Sequence, residues 1–443
     1  MANYRYKLNG KALNKGGAKL PFVIFSKFMP KQTTWQKGIR KPYLPKLSKQ
    51  EVCDVAIIGG GMAGLFCAYR LSKAGKSVVL LEAENLGHDA TAKTTAFITQ
   101  DIDTDLAELV KIFGKNRTRL IWESGKLALT NIAEIIKQEK IDCDFSFCPL
   151  NVYAKTEKDL KFLQKERLTA QAIGFETFFN KNNSLGFSNA GAWEIPRQAK
   201  FHPLKFLYAL AEKSKSLGAK LYENSNVVAI ERRKTGSAVK TKAAKVLCQD
   251  VIIATYDPLG NPLATKFKKG MYNSYVLEVK LPKNIIKAGL YLDTKNPYHY
   301  FRLDPFEKYD RLIIGGEDHR SELPVSQTKN FKALEDFLKK LLPKIKYTIT
   351  KRWVGPILEP SDGLPLIGEV RPRQYVATAF SGNGMTYSAI AAALLTDIIA
   401  KKPNPYKELY RPARTPSLKQ LWAKGKDYSQ ELVKGAIKNA VKY

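Results

Sequence analysis

Residues 54–65 read Asp54-Val-Ala-Ile-Ile-Gly59-Gly-Gly61-Met-Ala-Gly64-Leu, and this stretch decides the fold. The unbroken apolar run Val52–Ile58 is typical of a strand buried on both faces of a parallel sheet. Gly59 permits the tight turn out of that strand. Gly61 lets backbone N–H groups approach a pyrophosphate at a helix N-terminus, and Gly64 lets the helix pack close to the strand. A helix from about Met62 to Ala74 and a second strand, Ser77–Glu82, should follow. Glu82 ends that strand, where a carboxylate accepts hydrogen bonds from ribose hydroxyls and repels a 2′-phosphate. Strand, glycines, helix, Gly75 and terminal acid fall in register as a Rossmann βαβ unit that binds the ADP half of a dinucleotide. The motif alone does not separate FAD from NAD.

Working outward, hydrophobic periodicity places two helices in Asp105–Lys137, others at Glu157–Ile173, His202–Leu217 and Lys329–Leu342, and a long one at Met385–Ala400. Val251–Thr255 and Tyr375–Ala379 read as further buried strands, and 270–316 alternates like antiparallel sheet. The fold class is therefore α/β: a Rossmann-type nucleotide domain interrupted by an antiparallel-sheet substrate domain, plus a basic N-terminal arm and a C-terminal helix. The expected divisions are 1–50 (arm), 51–100, 197–262 and 353–415 (nucleotide domain), 101–196 and 263–352 (helical and substrate domain), and 416–443 (amphipathic helix).

The 443 residues, 44% of them hydrophobic, can bury a sizeable core. No apolar run is long enough to span a bilayer, and the N-terminus lacks a secretory pattern. Five cysteines without a CxxC read as reduced thiols of a cytoplasmic protein, and four scattered histidines give no metal-ligand spacing. The formal charge is +32, and 20 of those charges lie in residues 1–50 and 401–443. These ends are either solvated tails or contacts for a polyanion, nucleic acid or anionic membrane, the latter making the protein a peripheral one.

Three later segments resemble the D-amino-acid oxidase-like (DAO) family of flavoenzymes: Gly87–Thr99, Gln249–Thr255, and Glu359–Gly368 followed by Tyr375–Thr386. The resemblance covers about residues 33–415 and is greatest to the gamma-glutamylputrescine oxidase and Rieske-fused branch. The Cys and His ligands of a Rieske centre are absent, so the expectation is a chain without that electron outlet. The resemblance implies FAD, held by Gly59, Gly61, Met62, Ala63, Gly64 and Glu82, by Lys93, Thr94 and Thr95, by Val228, Ala254 and Thr255, and by Asp362, Gly382, Asn383, Gly384, Met385 and Thr386. Lys93 stands where some members attach FAD to a histidine, which implies non-covalent FAD. Phe97 stands where related members often carry a lysine. The turn at Gly382–Gly384 would aim the following helix N-terminus at the flavin N1/C2=O edge, where negative charge gathers on reduction.

The family's chemistry, hydride transfer from a carbon beside nitrogen to flavin N5, implies an oxidase or dehydrogenase of a small amine or amino acid. Arg302, Tyr300 and His299 are the candidate substrate-positioning residues. Arg302 either forks a substrate carboxylate or pairs with Asp304 or Glu317. His299 is either a hydrogen-bonded structural histidine or a base. Tyr300 and Trp353 either flank the flavin or fill the core. Arg311–Gly315 lacks the lysine that sarcosine-oxidase-like members place near N5, so the electron acceptor is oxygen or another molecule. The alternatives are a flavoenzyme acting on a modified nucleoside in tRNA and a membrane-docked flavin dehydrogenase.

Overall fold

The structure is a computed structural model that describes residues 32–181, 185–256, 270–295, 298–323, 325–360 and 362–414. In chain order the strands are β1 (Glu51–Ile58), β2 (Val78–Leu81), β3 (Phe97–Ile98), β4 (Ser146–Ala154), β5 (Phe178–Lys181), β6 (Gly191–Lys200), β7 (Lys220–Tyr222), β8 (Val227–Arg232) and β9 (Ser237–Thr241). They continue as β10 (Lys245–Ile253), β11 (Gly270–Leu281), β12 (Leu290–Asp293), β13 (Tyr300–Pro305), β14 (Asp310–Arg320), β15 (Thr348–Glu359), β16 (Leu366–Arg371) and β17 (Gln374–Thr378). The helices are α1 (Met62–Lys73), α2 (Ala90–Lys93), α3 (Leu106–Phe113), α4 (Lys115–Gln138), α5 (Glu157–Ala172), α6 (Pro203–Ser216), α7 (Gln327–Leu341), α8 (Gly384–Ile399) and α9 (Lys407–Tyr410).

β1 sits at the centre of the first sheet, ordered β16-β17-β10-β1-β2-β7, with the β8–β9 hairpin attached to β10 through β9. Val55–Ile58 are buried because α1 and α8 cover one face while Leu47, Val227, Val246 and Leu366 pack against the other. β1 pairs in parallel with β2 on one side and β10 on the other, so the chain reverses its winding there. The carboxyl ends of such strands form the crevice where open α/β sheets bind ligands.

The second sheet runs β15-β11-β14-β13-β12-β4-β6-β3, with β5 on β6. β12 and β4 pair in parallel, so it is mixed rather than purely antiparallel. It extends beyond the expected division at 352, because β15 pairs along β11 as far as Glu359. α7 packs its buried Leu334, Phe337, Leu338 and Leu341 against the outer face. The helices start where side chains supply caps. Thr156 and Asp159 form a reciprocal capping box on α5, and His202 Nδ1 accepts the Lys205 N–H at the start of α6, with Pro203 in the first turn. That cap gives His202 a role the sequence did not reveal.

Residues 32–50 have little regular structure, as an arm would, but they are fixed to the body. Trp35 is fully buried, and Leu44 and Leu47 are buried as well. The apolar side chains in this lysine-rich stretch, not its charge, set its fate. The amphipathic segment 416–443 lies outside the described residues. Among the described residues no helix is long and apolar enough to cross a membrane.

Candidate active site

The turn after β1 shows why its glycines are needed. Gly59 has φ +110°, and a Cβ on it would lie 2.7 Å from Ala254 O. A Cβ on Gly64 would lie 1.9 Å from Gly59 O, so α1 can approach the strand only without a side chain there. Beside Gly61 a Cβ would meet only Thr91 Oγ1, at 3.5 Å. Glu82 Oε2 accepts the Gly60 N–H at 2.6 Å, and Oε1 accepts the Glu84 N–H at 2.8 Å. The acid therefore braces the turn that opens toward the ligand.

A cavity of about 980 Å³ begins at this turn and extends to the face of β11, β13 and β14. That lies at the upper end of the roughly 300–1,000 Å³ usual for cofactor sites. Gly59, Gly61, Met62, Ala63, Glu82, Ala254 and Thr255 line one end, and Lys93, Thr94 and Thr95 flank the middle. Gly382, Asn383, Gly384 and Met385 close the side where α8 begins. Tyr272, Ser274, Tyr298, Tyr300, Asp318 and Arg320 line the far end. Two non-glycine residues with positive φ, Ala379 and Ser381, line it. Such strained backbone concentrates at ligand clamps and active sites.

The loop Lys93–Ala96 is held from behind. Trp353 Nε1 donates to Lys93 O at 2.9 Å, and Trp35 Nε1 donates to Thr94 O at 2.7 Å. Arg302 Nη1 donates to Thr95 O and Ala96 O, at 3.0 and 3.2 Å. Four successive carbonyls are thus fixed by buried side chains from three distant segments.

A model of FAD-dependent oxidoreductases, the DAO family, matches residues 54–398. The chain belongs to the DAO family of FAD-dependent oxidoreductases. Its cofactor is FAD, and the glycine cradle and the Glu82 brace fit the ADP half. The chain is 29% identical over 423 residues to the Bacillus subtilis (strain 168) protein YhfW, whose name describes a Rieske 2Fe-2S iron–sulfur protein; the match spans 93% of this chain and 82% of that one. It is 26% identical to gamma-glutamylputrescine oxidoreductase of Escherichia coli (strain K12), over 80% of this chain and 85% of the relative. Glycine oxidase from Geobacillus kaustophilus superposes with a TM-score of 0.69 at 21% identity, covering 83% of this chain and 100% of that one, and so shares the fold.

Several expected residues of this DAO protein lie elsewhere than the sequence suggested. Arg302 is not at the cavity. It is 2% exposed, and its Nε and Nη2 hold Asp304 Oδ1 at 3.0 and 2.8 Å while Nη1 also reaches Phe201 O. Every donor faces the protein, which corrects the carboxylate-anchor expectation in favour of the Asp304 pair. Burial would raise the Asp304 carboxyl, but Arg302, Lys200 and Arg311 together hold it well below the usual range.

His299 stacks on Phe337 at 3.6 Å, bonded to Asp293 and Glu317, on the sheet face away from the cavity. These contacts fit the hydrogen-bonded structural alternative, and His299 is not among the residues that line the cavity. Trp353 is core.

Gly64 acts through packing rather than contact. Thr386 Oγ1 donates to Thr99 O. Asp362 forks Arg414 at 2.5 and 2.9 Å, so this acid clamps the chain after α9 instead of lining the cavity. Val227, not Val228, lines the cavity. Lys93 Nζ pairs with Asp89 Oδ1 at 2.6 Å. The Gly382 N–H, expected to face the flavin edge, donates to Asp103 Oδ2 at 2.7 Å, and the Tyr298 hydroxyl donates to Oδ1 of the same acid at 3.0 Å. Asp103 therefore ties the α8 turn to the second sheet.

Tyr300 does line the cavity, its hydroxyl 2.7 Å from Ser274 Oγ. The sequence reading missed Asp103 and Asp318. Burial pushes the Asp318 carboxyl up to about 7; the Ser274 hydrogen bond opposes this, while Glu359 and Asp103 add to it.

Proposed function

We propose that this protein oxidises the C–N bond of a small amine or amino acid. What supports the reading is a single cavity that joins the dinucleotide cradle of β1 and α1 to a polar, aromatic face of the second sheet. FAD, when bound, supplies a two-electron acceptor for the carbon beside the substrate nitrogen. The protein's part is binding, orientation and exclusion of water. Amides at the N-terminus of α1 hold the pyrophosphate and Glu82 the ribose. The clamped loop Lys93–Ala96 and the turn at Gly382–Gly384 fix the ring, and no covalent link from Lys93 is expected. The second sheet covers the reacting centre.

The tRNA-nucleoside reading draws on the charge of the chain ends, but Asp103, Glu108 and Glu359 border the cavity and would repel a polyanion. The deciding experiment is anaerobic bleaching of the yellow protein by a panel of amines and amino acids. A yellow protein that none of them bleaches would overturn the proposal. Re-admitting air to a bleached sample then tests oxygen as the acceptor.

A further inference from the structure

β14 starts in strict alternation. Leu312 and Ile314 pack toward α7, while Ile313 packs toward the core on the other side. Continued alternation would aim residue 317 at the cavity and residue 318 at α7. The structure does the opposite, because the pairing with β11 slips. Asn273 pairs with His319 and Tyr275 with Gly316, so two residues, Glu317 and Asp318, stand opposite the single Ser274. The extra residue forms a bulge, with Gly316 at φ +152° and Glu317 at φ +55°. Beyond the bulge the phase is inverted. Glu317 meets His299 on the α7 side, and Asp318 and Arg320 line the cavity. Bulges beside active sites commonly re-aim a side chain in this way.

The re-aimed carboxylate is not used up by the protein. Asp318 shares a hydrogen bond with Ser274, but its Oδ1 is buried and has no partner among the described residues. A buried acceptor without a donor is costly, and one that borders a cavity can be satisfied by a donor that a ligand brings. The surroundings suit a cation. Tyr298 and Tyr300 lie 5.8 Å apart, centroid to centroid, and Phe97 meets Tyr300 edge-on at 6.1 Å. Tyr272 lines the same recess. Aromatic faces around a carboxylate attract an ammonium group both through the rings and through the charge. Asp103 and Glu359 add negative potential at Asp318, and His299 opposes it.

We propose that Asp318, ringed by Tyr272, Tyr298 and Tyr300, is the subsite that receives the ammonium group of a cationic alkylamine substrate. The proposal rests on the amine-oxidising reading and narrows it from amino acids to amines. Arg320, two residues further along the same strand face, lies over the Tyr272 ring at 5.4 Å from its centroid.

The test is calorimetric titration of the FAD-loaded protein, at constant ionic strength and about pH 8, with n-butylammonium chloride and with sodium butyrate. The wild type should bind n-butylammonium, and Asp318→Asn should weaken that binding at least about tenfold. Butyrate should give no heat with either. Glu317→Gln, on the opposite face, should bind n-butylammonium as the wild type does. Equal binding by Asp318→Asn and wild type, absence of binding by the wild type, or tighter binding of butyrate overturns the proposal. Loss of binding in Glu317→Gln but not in Asp318→Asn overturns the bulge argument. Retention of yellow FAD by each variant establishes that it is folded. The two readings fail separately: n-butylammonium binding without bleaching by any amine sinks the oxidase reading alone, whereas bleaching by amines that is unaffected by Asp318→Asn sinks the subsite alone.

Discussion

Replacing Arg302 with leucine removes five hydrogen bonds at once. Two go to Asp304 and three to the carbonyls of Thr95, Ala96 and Phe201, all with a side chain 2% exposed. Asp304 keeps Lys200 and Arg311, so its charge is not orphaned. The carbonyls lose their donor to an apolar side chain. Breaking a buried pair typically costs about 3–5 kcal/mol, and each buried acceptor left unsatisfied costs about 1–3 kcal/mol. Because Lys200 and Arg311 still pair with Asp304, most of the pair term drops out, and three carbonyls near the lower end of their range leave about 3–5 kcal/mol. That is a large part of a total stability of roughly 5–15 kcal/mol.

The damage should centre on the loop beside the cofactor. Urea unfolding of the variant should show an earlier midpoint, and FAD titration of the apoprotein a weaker affinity. Arg302→Lys should not rescue either property, because one ammonium cannot span the carboxylate and three carbonyls. An unchanged midpoint and unchanged FAD affinity, with turnover lost only on carboxylate-bearing substrates, would refute this reasoning and restore Arg302 as a substrate anchor.

Gly64→Ala brings a methyl group to 1.9 Å from Gly59 O and should displace α1 from the turn. FAD affinity, followed by quenching of flavin fluorescence, should fall at least about tenfold; wild-type affinity would disprove the close approach. Trp35→Phe keeps most of the buried ring but loses the donor to Thr94 O, so FAD binding should weaken while the fold's urea midpoint drops by an amount equivalent to about 1–3 kcal/mol. Asp318 holds its proton up to about 7 when folded but only to about 3.9 when unfolded, so it subtracts stability as pH rises through that window. The stability of Asp318→Asn relative to wild type should therefore increase between about pH 4 and about pH 8, and a difference independent of pH would contradict the buried titration.

The nucleotide sheet was legible because β1, the glycine turn, α1 and β2 are neighbours in sequence as well as in space. Each glycine answers a local steric demand, so the residue type alone carries the message. The long strands of the second sheet were harder to read. β15 alternates only in part, and the partner that makes it a strand, β11, lies some 80 positions earlier. Arg302 was ambiguous for a related reason. Asp304 is two residues away, but the carbonyls that absorb its donors lie 101 to 207 residues away. Asp318 was hidden by phase: alternation carried through Gly315 points it away from the cavity, and only the Gly315-Gly316 pair signalled a bulge.

The clamp on Lys93–Ala96 also bears on the order in which the molecule assembles. Its donors lie 59, 207 and 260 residues from the carbonyls they hold. Contacts of such sequence separation form late, after loop closure has been overcome. A chain emerging from the ribosome can form the β1–α1–β2 unit early, yet the loop beside it stays unset until Trp353 has been made and docked. Stable flavin capture is therefore a late event in biogenesis, and nascent chains ending before Trp353 should capture little flavin although they contain the whole nucleotide fingerprint.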